Sequence, residues 1–362
     1  MSTNVIRVFA SISCLLAFNT VQAAQRPTSN LCSFYGYSRL QSDSSNPSKP
    51  SWTPIPIGTL DMSQIESLKT ALNSPHPQDR ARAAFLVGQT NSPGCALLLK
   101  RCLNDRDRIV SIHAGIALAC LGDSSGIPAC AAALRHSPEW TAYYAVYGLW
   151  RINTPKSKSI LAGTHTVSSK FLKDCIAAAR ATPHSSTTAR ARQTSGSAKS
   201  TTSDLWDETS SVYIREGDWW FHRGNYDQTI RSNEASIFFD PSNIDTYSSI
   251  AYLQWSMGRE SQAVNTLNRA IAANPKDPDS YYQLGLHYFV AKKYNSAIRP
   301  LKASLDIKDD SIVRRTYAHC LEKVGRLKAA LAQWEIIVNN NPNDGAAIKN
   351  RDKVKNILET RR

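Results

Sequence analysis

The chain has 362 residues and carries 43 Lys+Arg against 29 Asp+Glu, a net charge of +14. That length allows two domains with a sizeable core. The basic balance raises nucleic acid as a partner, but no recognition motif is present, and past the N-terminus no apolar stretch is long enough to span a bilayer as a helix.

The first 24 residues read as an export signal: Arg7, the short apolar run "VFASISCLLAF", then "VQA" before Ala24. The mature protein is thus expected to be exported, periplasmic or secreted. Its charge would suit weak contact with anionic surfaces, although a merely basic solvated surface explains it as simply. Residues 25–59, rich in Ser, Pro and Asn, predict a disordered lead-in. Seven cysteines remain after the signal: Cys32, Cys95, Cys102, Cys120, Cys130, Cys175 and Cys320. Without a C-x-x-C spacing they indicate neither a zinc knuckle nor a thioredoxin-type site. Disulfides among Cys95, Cys102, Cys120 and Cys130 and burial as free thiols both remain open.

From residue 60 to 180 the sequence repeats every 31 residues: Leu68, Leu99 and Cys130 are in step, as are Ala83, Ala114 and Ala145, and Val87, Leu118 and Leu149. Each unit holds two helical apolar stripes parted by a polar turn. One helix pair cannot bury such stripes alone, and stacked pairs can, which predicts a solenoid. "LGDSSGIPACAAAL", Leu121 to Leu134, resembles the short HEAT-like repeat of phycobilisome-lyase-type proteins. That resemblance implies a fold, and as an alternative function a lyase- or chaperone-like role for this half.

The same stretch contains G-x-S-x-G at Gly122–Gly126. A hydrolase nucleophile elbow needs a strand before the serine. Here the preceding "SIHAGIALACL" has helical apolar spacing, Gly122 suits a helix C-cap, and Pro128 suits the first turn of the next helix. Ser124 is therefore predicted to sit in an inter-helix turn.

Residues 181–203 contain no acid and are mostly Ser and Thr, which predicts a flexible linker. With nothing there to bury, the flanking arrays are expected to be separately stable, with proteolysis first at Arg190, Arg192 or Lys199.

Residues 204–344 carry a second repeat. Gly217, Ala251, Gly285 and Ala318 are 34, 34 and 33 apart; Gly224, Gly258 and Gly325 follow seven later; Pro241, Pro275 and Pro342 close three units. The first unit departs at Asn233, where a large apolar residue is expected, and the third has Lys292 and Asp309 in place of its Gly and Pro. These columns resemble the tetratricopeptide repeat. Residues 345–362 would form a polar helix capping the last apolar face.

The fold predicted is all-α: two α-solenoids, HEAT-like and then tetratricopeptide, joined by a flexible linker. The tetratricopeptide resemblance implies a peptide-binding groove lined by first helices. It places Asp218, Phe221, Tyr252, Trp255, Tyr282, Leu286 and Phe289 there, continued by Arg315, His319 and Glu322, an aromatic stripe with a charged end. Partial burial of these aromatics in the interhelical core is the alternative. The chaperone-tail clamp of that family needs Lys and Asn where Ile214 and Asp218 stand. No catalytic constellation, cofactor motif or metal set is indicated: His113 and His287 lie in helical patterns without a ligand one turn away. The function expected is a non-catalytic scaffold or adaptor for a protein or peptide in an envelope or secretion-linked assembly.

Ser124→Ala is expected to change stability by no more than about 0.5 kcal/mol, as at ordinary surface sites. Covalent labelling of Ser124 by a fluorophosphonate probe would overturn its assignment to a turn.

Overall fold

The computed structural model describes residues 62–88, 95–163, 167–181 and 201–360. The predicted signal, the lead-in, Cys32 and the cleavage sites at Arg190, Arg192 and Lys199 lie outside them. The described residues form helices and connecting turns without a strand.

The N-terminal array comprises α1 (Met62–Leu72), α2 (Pro77–Gly88), α3 (Cys95–Cys102), α4 (Arg108–Cys120), α5 (Ile127–His136), α6 (Glu139–Ile152), α7 (Pro155–Ala162) and α8 (Lys170–Ala181). The 31-residue columns are its core: Leu68, Leu99, Cys130, Ala83, Ala114, Ala145, Leu118 and Leu149 are fully enclosed. Gly122 turns the chain at φ +85°, and Asp123 accepts hydrogen bonds from the backbone and hydroxyl of Ser125. Ser124 stands exposed in a single 3₁₀ turn between α4 and α5, so helix replaces the strand an elbow requires. Among the described residues Cys102, Cys120, Cys130, Cys175 and Cys320 are free thiols. Burial pushes those of Cys120, Cys175 and Cys320 up to about 12, which leaves them inert at neutral pH.

The C-terminal array comprises α9 (Thr202–Phe221), α10 (Tyr226–Phe239), α11 (Ile244–Ser256), α12 (Glu260–Ala273), α13 (Pro278–Val290), α14 (Tyr294–Ile307), α15 (Ser311–Lys323), α16 (Leu327–Asn340) and α17 (Gly345–Thr360). Each pair turns through one left-handed residue: Gly224, Gly258, Lys292 and Gly325 all have φ between 60° and 79°. The third unit thus keeps its turn without glycine. In the first unit α9 and α10 approach so closely that a methyl group on Gly217 would meet Asn233 Oδ1 at 2.6 Å. Thr229 donates its hydroxyl to Gly217 O at 3.1 Å. Asn233 thus sits against Gly217 as closely as Leu301 sits against Gly285 in the third unit.

The two arrays do not stand apart, which corrects the expectation of separate stability. One continuous apolar cluster runs from Leu68 in α1 to Phe239 in α10. Phe239 is 2% exposed and packs edge-on against Phe85 of α2, with ring centroids 5.9 Å apart. The composition of residues 181–203 carries no sign of this, because the burying groups lie on α9 and α10 beyond the linker.

The shared core predicts that chain cleaved within residues 182–200 will keep its two fragments together. They should co-elute in size-exclusion chromatography, and Phe239→Ala, a buried truncation costing about 3–5 kcal/mol, should weaken or abolish that association. Separate elution of the wild-type fragments would contradict the single core.

Candidate binding groove and the junction behind it

The first helices α11, α13 and α15 touch one another in succession and form one wall of the C-terminal array. Asn243, Asp277 and Asp310 cap their N-termini through side-chain oxygens. This sets the helix register, and the near-34-residue period then aligns equivalent positions along the wall.

The candidate groove residues occupy it unequally. Tyr252 and Leu286 are half-buried and belong to none of the buried clusters. Trp255 lies near Tyr252, ring centroids 6.3 Å apart, yet it also packs on the cluster of Ala251, Ala263, Leu267 and Leu284. Tyr282 and Phe289 pack on the cluster around Leu301 and Val313. Asp218 is exposed beside His222, and the Phe221 ring lies tilted at 49° to that of Tyr226, centroids 5.6 Å apart. Trp255, Tyr282 and Phe289 thus also hold the repeats together.

The charged end is largely satisfied within the chain. Arg315 is ion-paired with Asp344. Glu322 accepts from Trp334 Nε1 at 2.8 Å and from Lys353 Nζ at 2.6 Å. His319 sets its ring edge against Trp334 at 4.9 Å, and burial lowers its pKa. A polar cavity of about 300 Å³ opens beside Arg315, lined by Asp309, Ser311, Arg314, Asn340 and Asp344. Arg314 there is already paired with Asp309.

Behind the candidate groove lies the junction between the arrays. Arg82, His113 and Tyr144 stand 31 residues apart on α2, α4 and α6, so the repeat puts them on one line. All three engage the first tetratricopeptide pair. Arg82 Nε donates to Phe238 O at 2.7 Å, His113 stacks on Phe238 at 4.7 Å and 10°, and the hydroxyls of Tyr144 and Tyr213 lie 3.0 Å apart. Arg231 of α10 reaches Glu139 at 2.8 Å and lies 3.5 Å over the Phe171 ring. A small cavity of about 50 Å³ remains among Tyr143, Tyr213, Glu216, Gln228 and Arg231, room for little more than a water molecule. The period that aligns Arg82, His113 and Tyr144 was visible in the sequence. Their partners were not, because nothing local to the N-terminal repeats marks α10 as their neighbour.

Two titratable groups at this junction are displaced in opposite ways. His113 is 4% exposed, and burial outweighs its hydrogen bond to Ile109 O and lowers its pKa to about 4. Burial raises Glu216 to about 7 despite its bond to Trp220. Among the described residues no group of three or more His, Cys, Asp and Glu is arranged to hold a metal ion, and no helix is long and apolar enough to cross a membrane.

This geometry joins two helical repeat arrays, and comparison with known proteins identifies both. The family model described as HEAT repeats matches residues 65–150, and one described as anaphase-promoting complex, cyclosome, subunit 3 matches residues 256–335. The chain is a tetratricopeptide repeat protein in its C-terminal half with a HEAT-like repeat domain before it. Similar curated proteins include the photosystem I assembly protein Ycf3 of Prochlorococcus marinus (strain NATL2A), 28% identical over 88 residues, 24% of this chain and 51% of that protein. Ycf3 of Synechococcus sp. (strain CC9311) is 32% identical over 80 residues, 21% of this chain and 46% of that one. The chain spans about half the length of the curated relatives it matches. Similar solved structures include MamA, at 20% identity and TM-score 0.33, covering 42% of this chain and 89% of that one. YrrB, described as a TPR protein with an unusual peptide-binding site, matches at 19% identity and TM-score 0.34, covering 42% of this chain and 80% of that one.

The opposed shifts predict a masked pH dependence. Stability from neutral His113 is complete above about pH 6.5 and lost as pH falls toward 4; stability from protonated Glu216 is complete below about pH 4.5 and lost as pH rises through 7. Between pH 4.5 and 6.5 the two slopes, each at most about 1.4 kcal/mol per pH unit, oppose one another. Glu216→Gln should therefore make denaturant stability rise with pH across that range, and His113→Phe should make it fall. Two variants with the wild-type profile would show that neither group titrates as described.

Proposed function

We propose that this protein is a non-catalytic scaffold or adaptor that holds a peptide or helical segment of a partner protein in its tetratricopeptide groove, with the HEAT-like array as a fixed support. The observation that carries this is the row of half-buried side chains on α11 and α13, Tyr252 and Leu286 above all, which belong to no buried cluster of the described chain. Partly exposed apolar and aromatic groups aligned along one wall are the usual anchors of a bound segment. The name of the curated relatives, photosystem I assembly protein, accords with a role in building a protein complex. The N-terminal segment that reads as an export signal supports a setting in the envelope or outside the cell.

The alternative, a lyase- or chaperone-like action through the HEAT-like half, is less well supported. The line of Arg82, His113 and Tyr144, where that half would meet a client, already holds the chain's own α10 through Phe238.

Because Trp255 and Tyr282 also serve the repeat core, the test falls on Tyr252 and Leu286. The full-length protein should capture a partner from the native envelope fraction, to be identified by mass spectrometry. Tyr252→Ala with Leu286→Ala should weaken that capture by about 2 kcal/mol, a hot-spot-sized loss, and leave the helical circular dichroism intact. Undiminished capture of the same partner would rule out the groove. Copurified pigment or turnover would favour the alternative.

A further inference from the structure

The rim of the groove tells what kind of segment suits it. Asp245 and Tyr252 are seven residues apart on α11, as are Asp279 and Leu286 on α13 and Ile312 and His319 on α15. Seven residues are about two helical turns, so each rim residue lies on the same helix face as its groove residue. The rim therefore reads Asp245, Asp279, Ile312 beside the row Tyr252, Leu286, His319. Ile312 is 61% exposed, which extends the apolar surface to the rim.

Asp245 and Asp279 are exposed, and neither carboxylate has an ion-pair partner among the described residues. Neither is a helix cap, since Asn243, Asp277 and Asp310 fill those places. Acids in a first helical turn are ordinarily favoured by the helix dipole. At Asp279 the balance runs the other way: its pKa is raised, first by burial, then by the like charges of Asp277, Asp245 and Asp310, with Lys308 offsetting only part. The rim is a locally acidic edge, only partly offset by Lys308, on a chain whose net charge is +14.

We propose that the occupant of the groove is a basic amphipathic segment of a partner protein, with an apolar face against Tyr252 and Leu286 and Lys or Arg side chains over Asp245 and Asp279. This rests on the groove being the binding site. Complementary charge sets the direction and choice of segment, while the apolar row supplies contact area.

The test uses the full-length protein and two helical peptides of identical apolar pattern, one Leu/Lys and one Leu/Glu, with affinities measured by fluorescence anisotropy at low and high salt. The Leu/Lys peptide should bind at least about tenfold tighter at low salt, and salt should erode that preference. The preference is diagnostic because the overall charge of the chain favours the Leu/Glu peptide. Asp245→Asn with Asp279→Asn should reduce it at least about fivefold, with circular dichroism unchanged. Equal or tighter binding of Leu/Glu, weakened by Tyr252→Ala with Leu286→Ala, would overturn the acidic-rim inference and leave the groove standing. Binding of neither peptide, or binding indifferent to Tyr252 and Leu286, would overturn both.

Discussion

A short solenoid must cover the apolar faces it cannot bury by stacking, and this protein covers one of them with its own next domain. The inner helices α2, α4 and α6 align Arg82, His113 and Tyr144, and α9 and α10 close over them. The aromatic side chains Phe85, Trp140, Phe238 and Phe239 fill the space between. Once that face is buried, the two arrays share one apolar core in spite of the Ser/Thr-rich stretch between them. The polar groups taken inside are mostly matched: the Arg82 guanidinium to a carbonyl, Arg231 to Glu139, and Tyr144 to Tyr213. Such pairing keeps the desolvation of charged groups tolerable at a buried junction.

This closure decides which surface is left for a partner. The line of side chains on the HEAT-like inner helices is occupied in cis, and α17 buries Ala347 and Val354 at the far end of the molecule. Among the described residues the wall of α11, α13 and α15 keeps half-buried side chains, Tyr252 and Leu286, outside the buried clusters. That wall is not uniform. Its C-terminal end locks Arg315 and Glu322 into internal ion pairs, whereas Asp245 and Asp279 on its rim make no ion pair among the described residues and Lys308 offsets only part of the charge at Asp279.

Much of this was legible in the sequence. The 31-residue columns and the column of Gly217, Ala251, Gly285 and Ala318 became buried positions, Gly224, Gly258 and Gly325 became exposed left-handed turns, and the G-x-S-x-G stretch became a turn because a helix precedes it. How departures from the pattern are accommodated was visible only in three dimensions. Asn233 takes the place against Gly217 that Leu301 takes against Gly285. Lys292 holds the left-handed turn that glycine holds elsewhere, because the packing of α13 on α14 requires the same reversal whatever the residue. The candidate groove was legible as a set of positions, but not the division of labour within it. Register alone cannot tell Tyr252, which belongs to no buried cluster, from Tyr282, which packs on the cluster around Leu301 and Val313.

The sequence by itself determined the two repeats, their helical class, their turns and the face each helix turns inward, because these follow from apolar periodicity and from local backbone preferences. Only the tertiary structure decided that the HEAT-like and tetratricopeptide arrays share a core, that Arg82, His113 and Tyr144 receive α10, and that Arg315 and Glu322 are spoken for. The physical reason is range. Periodicity reports what a helix must bury, while the partner that buries it, here 156 residues away from Arg82 at Phe238, is chosen by shape and charge across the folded chain.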